Sequence, residues 1–383
     1  MRKKAITMDK IREMKVTPWE VSGHIDYEKL IKEFGLKPIN IDILPKEFSE
    51  SVLFRRNIIF AHRDFERIAE AFRKKKPFSM MTGLMPSGKF HFGHKLVAEQ
   101  IIFYQKLGAK VYITVADIEA YNSRTHDMEK LRKTAIDEYL TNYIALGLDI
   151  KKCDFYFQSE RSKNGKKSNA YYSLAGMLAG HATFNEFKAV YGEITPGKMS
   201  ASLLQAADML HLQLPEFESP VPTVVPVGID QDAHIRLARD ISQRIKIYNF
   251  IQLSSTYHMF MPGLKSGKMS SSDPNSYIAL TDTPEEAEAK IKKYAFSGGQ
   301  PSMKEHRKKG GNPDVDVSFQ ILKYGMEPND KKLQEIYNKY KSGELLTGEL
   351  KHILIEKICD FLKHHQRERE KAKSKLDRFI LKD

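Results

Sequence analysis

The chain has 383 residues, of which 41% are hydrophobic and 29% charged, a balance that excludes the disordered and membrane-embedded classes. Lys and Arg outnumber Asp and Glu by 62 to 49, and the net charge of +13 suits a polyanionic partner. No apolar run reaches a membrane-spanning length, the opening MRKKAITMDKIREMK has no apolar secretion core, and Cys153 and Cys359 lie far apart without ligand spacing. A cytoplasmic protein with no membrane segment, no disulfide framework and no protein-bound metal is expected.

Taken in chain order, residues 1–77 read as an N-terminal extension of short helical and irregular pieces. Within it Phe65, Ile68, Ala69 and Phe72 recur at spacings of three and four, one face of a helix that KKKP ends. FSMMTGL (78–84) is a short apolar run of the kind that makes a buried strand. A loop with Pro86, Ser87 and Gly88 follows, then KLVAEQIIFYQKLGAK, a helix carrying Leu96, Ile101, Ile102, Tyr104 and Gln105 and stopping at Gly108. The strand KVYITVAD (110–117) completes a βαβ unit, and phosphate groups bind naturally where such a helix starts.

The alternation continues through a helix over about Met128–Leu146, the strand CDFYFQ, helical stretches to Gln213, the apolar VPTVVPVG and the helix DAHIRLARDIS. This pattern predicts an α/β fold, a doubly wound parallel sheet covered by helices, over 78–282, with a helical insertion at about 160–215. Beyond 283 only helical patterns remain, so 283–383 reads as a separate all-helical domain. Between its first two helices SGGQPSMKEHRKKGGNPD has the composition of a loop.

Two motifs face phosphate chemistry. In MMTGLMPSGKFHFGHK (80–95), Gly83 and Gly88 allow close backbone approach, Gly93 lies where a helix begins, and His91 and His94 can donate to phosphate oxygens. In GLKSGKMSSSDPNS (263–276), Lys265 and Lys268 alternate with glycine ahead of Ser270, Ser271 and Ser272, so a loop brings cations and small donors to a polyphosphate.

Together PSGKFHFGH and KMSSS resemble, in the expected order, the His-Ile-Gly-His and Lys-Met-Ser-Lys-Ser signatures of class I aminoacyl-tRNA synthetases, most closely the tryptophanyl branch. TPWEVSGHIDYEKLIKEFG (17–35), FRRNIIFAHRDF (54–65), AFSGGQPSMKEHRKKGGNPDVDVSF (295–319) and SGELLTGELKHILIE (342–356) resemble its archaeal and eukaryotic members. QAADML (205–210), VVPVGIDQDAHIRLARDI (224–241) and KMSSSDPN also resemble bacterial ones. The resemblance implies a Rossmann-like catalytic domain and an anticodon-binding domain for 283–383. It also implies ATP as substrate, Mg2+ on its phosphates, L-tryptophan and tRNA(Trp) as partners, a CCA anticodon, and a homodimer.

Residue by residue, it implies that His91 and His94 face the phosphates, Gly93 admits the adenine and Lys268 supplies charge, beside Met269, Ser270, Ser271 and Ser272. Gly228, Asp230 and Gln231 match the segment whose acid holds the ATP ribose. Ser271 stands where many members have a second lysine; either Lys268 suffices, which the branch with a small residue there favours, or Lys265 contributes. Asp208 matches the acceptor of the indole N–H in bacterial enzymes, with Met81, Gly83, Glu119, Gln205, Val225 and Gln231 completing a tryptophan pocket and Tyr121 beside Glu119. Met81 and Thr114 depart from the tyrosine and glutamine of the archaeal and eukaryotic branch, so that branch's indole contacts do not transfer. A tyrosine enzyme is the main rival reading, but Met81 offers no donor to a phenol oxygen. A silent RNA-binding paralogue and a small-cofactor nucleotidyltransferase are weaker rivals, the first against the intact His91, His94 and Lys268, the second against the helical C-terminal third. Trp19 is expected to pack the N-terminal extension.

Overall fold

The structure is a computed structural model that describes residues 15–16, 21–22, 25–123 and 126–376. Trp19 lies outside the described residues. Strands β1 (Lys15–Val16) and β2 (Val21–Ser22) form a two-stranded antiparallel ribbon. The main sheet comprises β3 (Lys37–Pro38), β4 (Ile59–Arg63), β5 (Ser79–Leu84), β6 (Lys110–Val115), β7 (Cys153–Phe157), β8 (Thr223–Gly228) and β9 (Ser254–His258), in the order β3-β4-β9-β8-β5-β6-β7. From β9 to β7 each neighbour pair is parallel, while β4 runs antiparallel to β9 and β3 to β4.

The chain leaves β5 toward β6 and β7, then returns to the other flank of β5 to lay down β8 and β9. Connections therefore diverge between β5 and β8, and a crevice opens at their carboxyl ends.

Local sequence explains these elements. A central parallel strand is covered on both faces, so β5 is apolar without alternation: Met80 packs with Val111 and Val224 on one side, Met81 with Tyr112 and Val225 on the other. The Phe92–Lys106 helix buries Leu96, Ile101 and Tyr104 on the Met80 face and ends ahead of Gly108, whose φ of +91° only glycine adopts freely. Helices Gly165–Leu178 and Pro196–Leu210 cover the Met81 face, the second started by Thr195, whose hydroxyl accepts from Lys198 N, and by Pro196 in the first turn.

Helices Pro284–Tyr294, Val317–Ile321, Asp330–Ser342 and Thr347–Leu376 pack into the core on the Met80 face, where Leu354, Ile358 and Leu362 share a cluster with Phe92 and Leu96. Ile358 and Leu362 have no exposed surface, and burial of each side chain contributes about 1.5–3 kcal/mol.

Two expectations change. The reading of residues 1–77 as short helical and irregular pieces leaves out β4, which is buried along four of its five residues and therefore lacks the alternation by which strands are recognised. The loop expected over 297–314 contains a helix, Met303–Lys309, whose start is capped by Ser302 accepting from Glu305 N at 3.2 Å. Glycines and lysines around it hid the Ser-x-x-Glu start signal.

Candidate active site

A cleft of about 570 Å³ opens at the carboxyl ends of β5 and β8. Its walls include Met81 and Gly83 from β5, His91, Gly93 and His94 from the following loop and helix start, and Glu119 from the Asp117–Ser123 helix. Gln205 and Asp208 enter from the Pro196–Leu210 helix, Val225, Gly228, Asp230 and Gln231 from β8 and the turn after it, and Lys268, Met269, Ser270, Ser271 and Ser272 from the serine-rich loop. The residues that the sequence assigned to ATP and tryptophan thus share one cavity, while Gly88, Tyr121 and Lys265 do not line it.

The two signature histidines cap their own helix. His91 Nδ1 accepts from Gly93 N at 3.1 Å, and His94 Nδ1 accepts from His91 N at 3.2 Å. With both Nδ1 atoms acting as acceptors, each ring carries its proton on Nε2. The rings stack with centroids 3.9 Å apart. Burial, with the Lys268 charge second, lowers the His91 pKa to about 4, and burial beside His91 lowers that of His94 well below the ordinary value. Both are therefore neutral N–H donors at neutral pH, not cations. Gly93 is required by the same packing, because a Cβ there would come within 2.9 Å of His91 Cε1.

The serine-rich loop is folded onto the cleft. Met269 N donates to Met261 O at 2.9 Å, and Leu264 N to Ser276 O at 2.8 Å. Ser271 Oγ meets His91 Nε2 at 3.1 Å, so the two motifs touch directly. Lys268 Nζ donates to Asp230 Oδ2 at 2.8 Å and sits 4.4 Å over the Phe260 ring. A Cβ on Gly228 would lie 2.6 Å from Asp230 Oδ1, which is why this turn carries no side chain. Lys265 points elsewhere, paired with Asp273 at 2.9 Å.

Asp208 is fully buried. Its Oδ1 accepts from the hydroxyls of Tyr156 at 2.7 Å and Tyr171 at 2.8 Å, and its Oδ2 from Gln158 Nε2 at 2.8 Å. Burial raises its pKa to about 6 against the pull of these donors. A carboxylate has about four acceptor positions; three are taken by these donors, and the buried Thr114 hydroxyl, which makes no hydrogen bond of its own among the described residues, is the neighbour that an incoming donor meets at the fourth. Gln205 Oε1 is buried without a protein partner.

Sequence reasoning did not single out Gln158 or His258, which also line the cleft; each follows a strand residue pattern that carries no motif. Thr114, noted only as a departure from one branch, lines it too. Tyr121, expected beside Glu119, instead is 39% exposed with its ring on His126. Among the described residues no three His, Cys, Asp or Glu side chains gather as a metal site, and no helix is long and apolar enough to cross a membrane.

Residues 73–363 match the family of tRNA synthetases class I (W and Y). A tryptophan–tRNA ligase from Methanocaldococcus jannaschii is 47% identical over 368 residues, spanning 94% of this chain and 96% of its own. One from Aeropyrum pernix is 44% identical over 364 residues, spanning 94% and 96%. Of solved structures, the tryptophanyl-tRNA synthetase from Aeropyrum pernix K1 superposes with a TM-score of 0.86 at 43% identity, over 92% of this chain and 96% of that one. The tryptophanyl-tRNA synthetase from Encephalitozoon cuniculi bound to tryptophan gives 0.82 at 27%, over 94% and 98%.

Proposed function

The chain belongs to the class I tRNA synthetases of the tryptophan and tyrosine family, and from that membership we infer that it is a tryptophan–tRNA ligase. It joins L-tryptophan and ATP to tryptophanyl-adenylate and pyrophosphate, then transfers the tryptophanyl group to tRNA(Trp). The observation that carries the choice of amino acid is Asp208: a buried carboxylate with one acceptor position open and the phenolic protons around it already committed. An indole brings one donor and no acceptor, which fits that vacancy. A phenol oxygen would also seek a donor, and Met81 in the same cleft has none.

In the first step a tryptophan carboxylate oxygen attacks the α-phosphorus, and the bond to the pyrophosphate oxygen breaks. No protein nucleophile is needed, so catalysis is positioning and charge neutralisation. We assign His91 and His94 to donate Nε2–H to phosphate oxygens and Gly93, with Met269, to receive the adenine. Ser270, Ser271 and Ser272 offer hydroxyl donors along the polyphosphate. The Lys268–Asp230 pair is the resting arrangement: the triphosphate takes the ammonium and the ribose hydroxyls take the carboxylate, so neither charge is left alone. Gly83, Val225 and Gly228 give the ligands room, while Glu119, Gln205 and Gln231 hold the tryptophan ammonium and carboxylate. Magnesium enters as the counter-ion of ATP rather than in a protein cage.

In the second step a hydroxyl of the terminal tRNA ribose attacks the adenylate carbonyl and AMP leaves. We assign residues 283–383 to the anticodon, 78–282 to catalysis and 1–77 to an extension of the catalytic body, in a cytoplasmic homodimer. The excess of basic residues supports phosphate contacts.

The test is ATP–pyrophosphate exchange, which should appear with tryptophan and stay at background with tyrosine or with neither. Exchange driven by tyrosine would move the assignment to the rival amino acid. A second expected result concerns pH. Below about 6 the Asp208 carboxylate takes a proton, which occupies an acceptor position. The tryptophan KM should then climb by up to about ten-fold per pH unit while that for ATP stays flat, read by exchange between pH 5 and 8. An equal rise in both KM values would assign the titration to another group.

A further inference from the structure

The nucleotide contacts assigned above leave two buried imidazoles of the cleft unused: His234, whose ring packs edge-on against Tyr191, and His258, which has a side-chain partner that fixes its tautomer. His258 closes β9, is 6% exposed and lines the cavity. Its Nδ1 lies 3.2 Å from Gln100 Nε2, and the same amide nitrogen lies 3.2 Å from Leu96 O. A carbonyl oxygen can only accept, so Leu96 O requires the NH2 end of the Gln100 amide to face it, and the orientation of the amide follows. Gln100 therefore donates to His258 Nδ1, and the ring proton resides on Nε2. That nitrogen has no hydrogen-bond partner among the described residues.

Position then selects the ligand. The β8–β9 register sets His258 opposite Gly228, two residues before Asp230, the acid assigned to the ribose. Gln100 belongs to the helix on the Met80 face of the sheet, the same helix that carries His91 and His94, whereas Asp208 comes from the opposite face. His258 is thus on the nucleotide side of the cleft, not the tryptophan side.

Resting on the reading of this cleft as the ATP site, we propose that His258 donates its Nε2–H to the nucleoside moiety of ATP, and that Gln100 is the positioning residue that fixes which nitrogen donates. His258→Leu should raise the ATP KM in pyrophosphate exchange about ten-fold, the loss of one neutral hydrogen bond, with the tryptophan KM within two-fold of the parent. Gln100→Met, which keeps the volume and removes the amide, should raise the ATP KM several-fold in the same selective way. Calorimetric titration of ATP into both variants, without tryptophan, should show matching losses of affinity. An ATP KM and affinity unchanged in His258→Leu, or both KM values rising together, would overturn the proposal. Should that variant fail to fold, an unchanged ATP affinity in Gln100→Met would overturn it equally. If the parent protein bound ATP but showed no tryptophan-dependent exchange, the ligase reading would fail while the His258 assignment stood on the binding data.

Discussion

Asp208→Ala is expected to raise the tryptophan KM by about two orders of magnitude. A buried indole N–H deprived of its acceptor costs about 1–3 kcal/mol, and the pocket loses the group around which it is built. The hydroxyls of Tyr156 and Tyr171 and the amide of Gln158 all end on this carboxylate, so the alanine variant strands three buried donors and should also melt several degrees lower. Asp208→Asn separates the two effects. Its single oxygen can still serve both phenols, while its NH2 meets Gln158 Nε2, donor against donor. The fold should survive and tryptophan affinity should still fall. Exchange kinetics with both variants, alongside thermal unfolding, checks the assignment; a tryptophan KM unmoved in Asp208→Asn would show that the indole is read by another group.

Lys268→Ala should lower the rate of adenylate formation by about 10²–10³-fold, the size expected when one charged stabiliser of a departing pyrophosphate is removed. Single-turnover measurement of adenylate, rather than steady-state exchange alone, isolates the chemical step. ATP binding should suffer less than the rate, because in the resting protein the ammonium is held by Asp230 and must leave it. Lys265→Ala should change the rate by less than two-fold, since its ammonium is paired with Asp273 on the exposed side of the loop. The opposite ranking of the two lysines would reassign the charge to Lys265.

Much of this was legible in sequence because the central βαβ unit is governed by local rules. β5 is a short apolar run, the helix after it buries residues at spacings of three and four, and Gly108 ends that helix in the left-handed region. The residues of the two signatures needed only to be brought into one cleft, and the order of strands around β5 does so. What sequence did not reveal depends on partners distant along the chain. β4 is a strand because β9 lies beside it, nearly two hundred residues later, and nothing in NIIFAH alternates. His258 has meaning only beside Gln100, and the committed phenolic protons of the tryptophan pocket come from two separate elements. The tautomers of His91 and His94 follow from a helix cap that spacing alone does not specify.

The long C-terminal helix supports the nucleotide loop from below. Phe361 lies 5.4 Å from Phe92, the first residue of the helix that carries His94, and Arg369 donates to Asp137 O at 2.6 Å and approaches Glu138 at 3.5 Å. Glu138 in turn accepts from Phe90 N, one residue before His91. The helical region assigned above to the anticodon is therefore a buttress beneath the nucleotide loop. A chain shortened before residue 283 would bare an oily flank and remove the prop on which the imidazoles rest, so the enzyme does not divide into independently working halves.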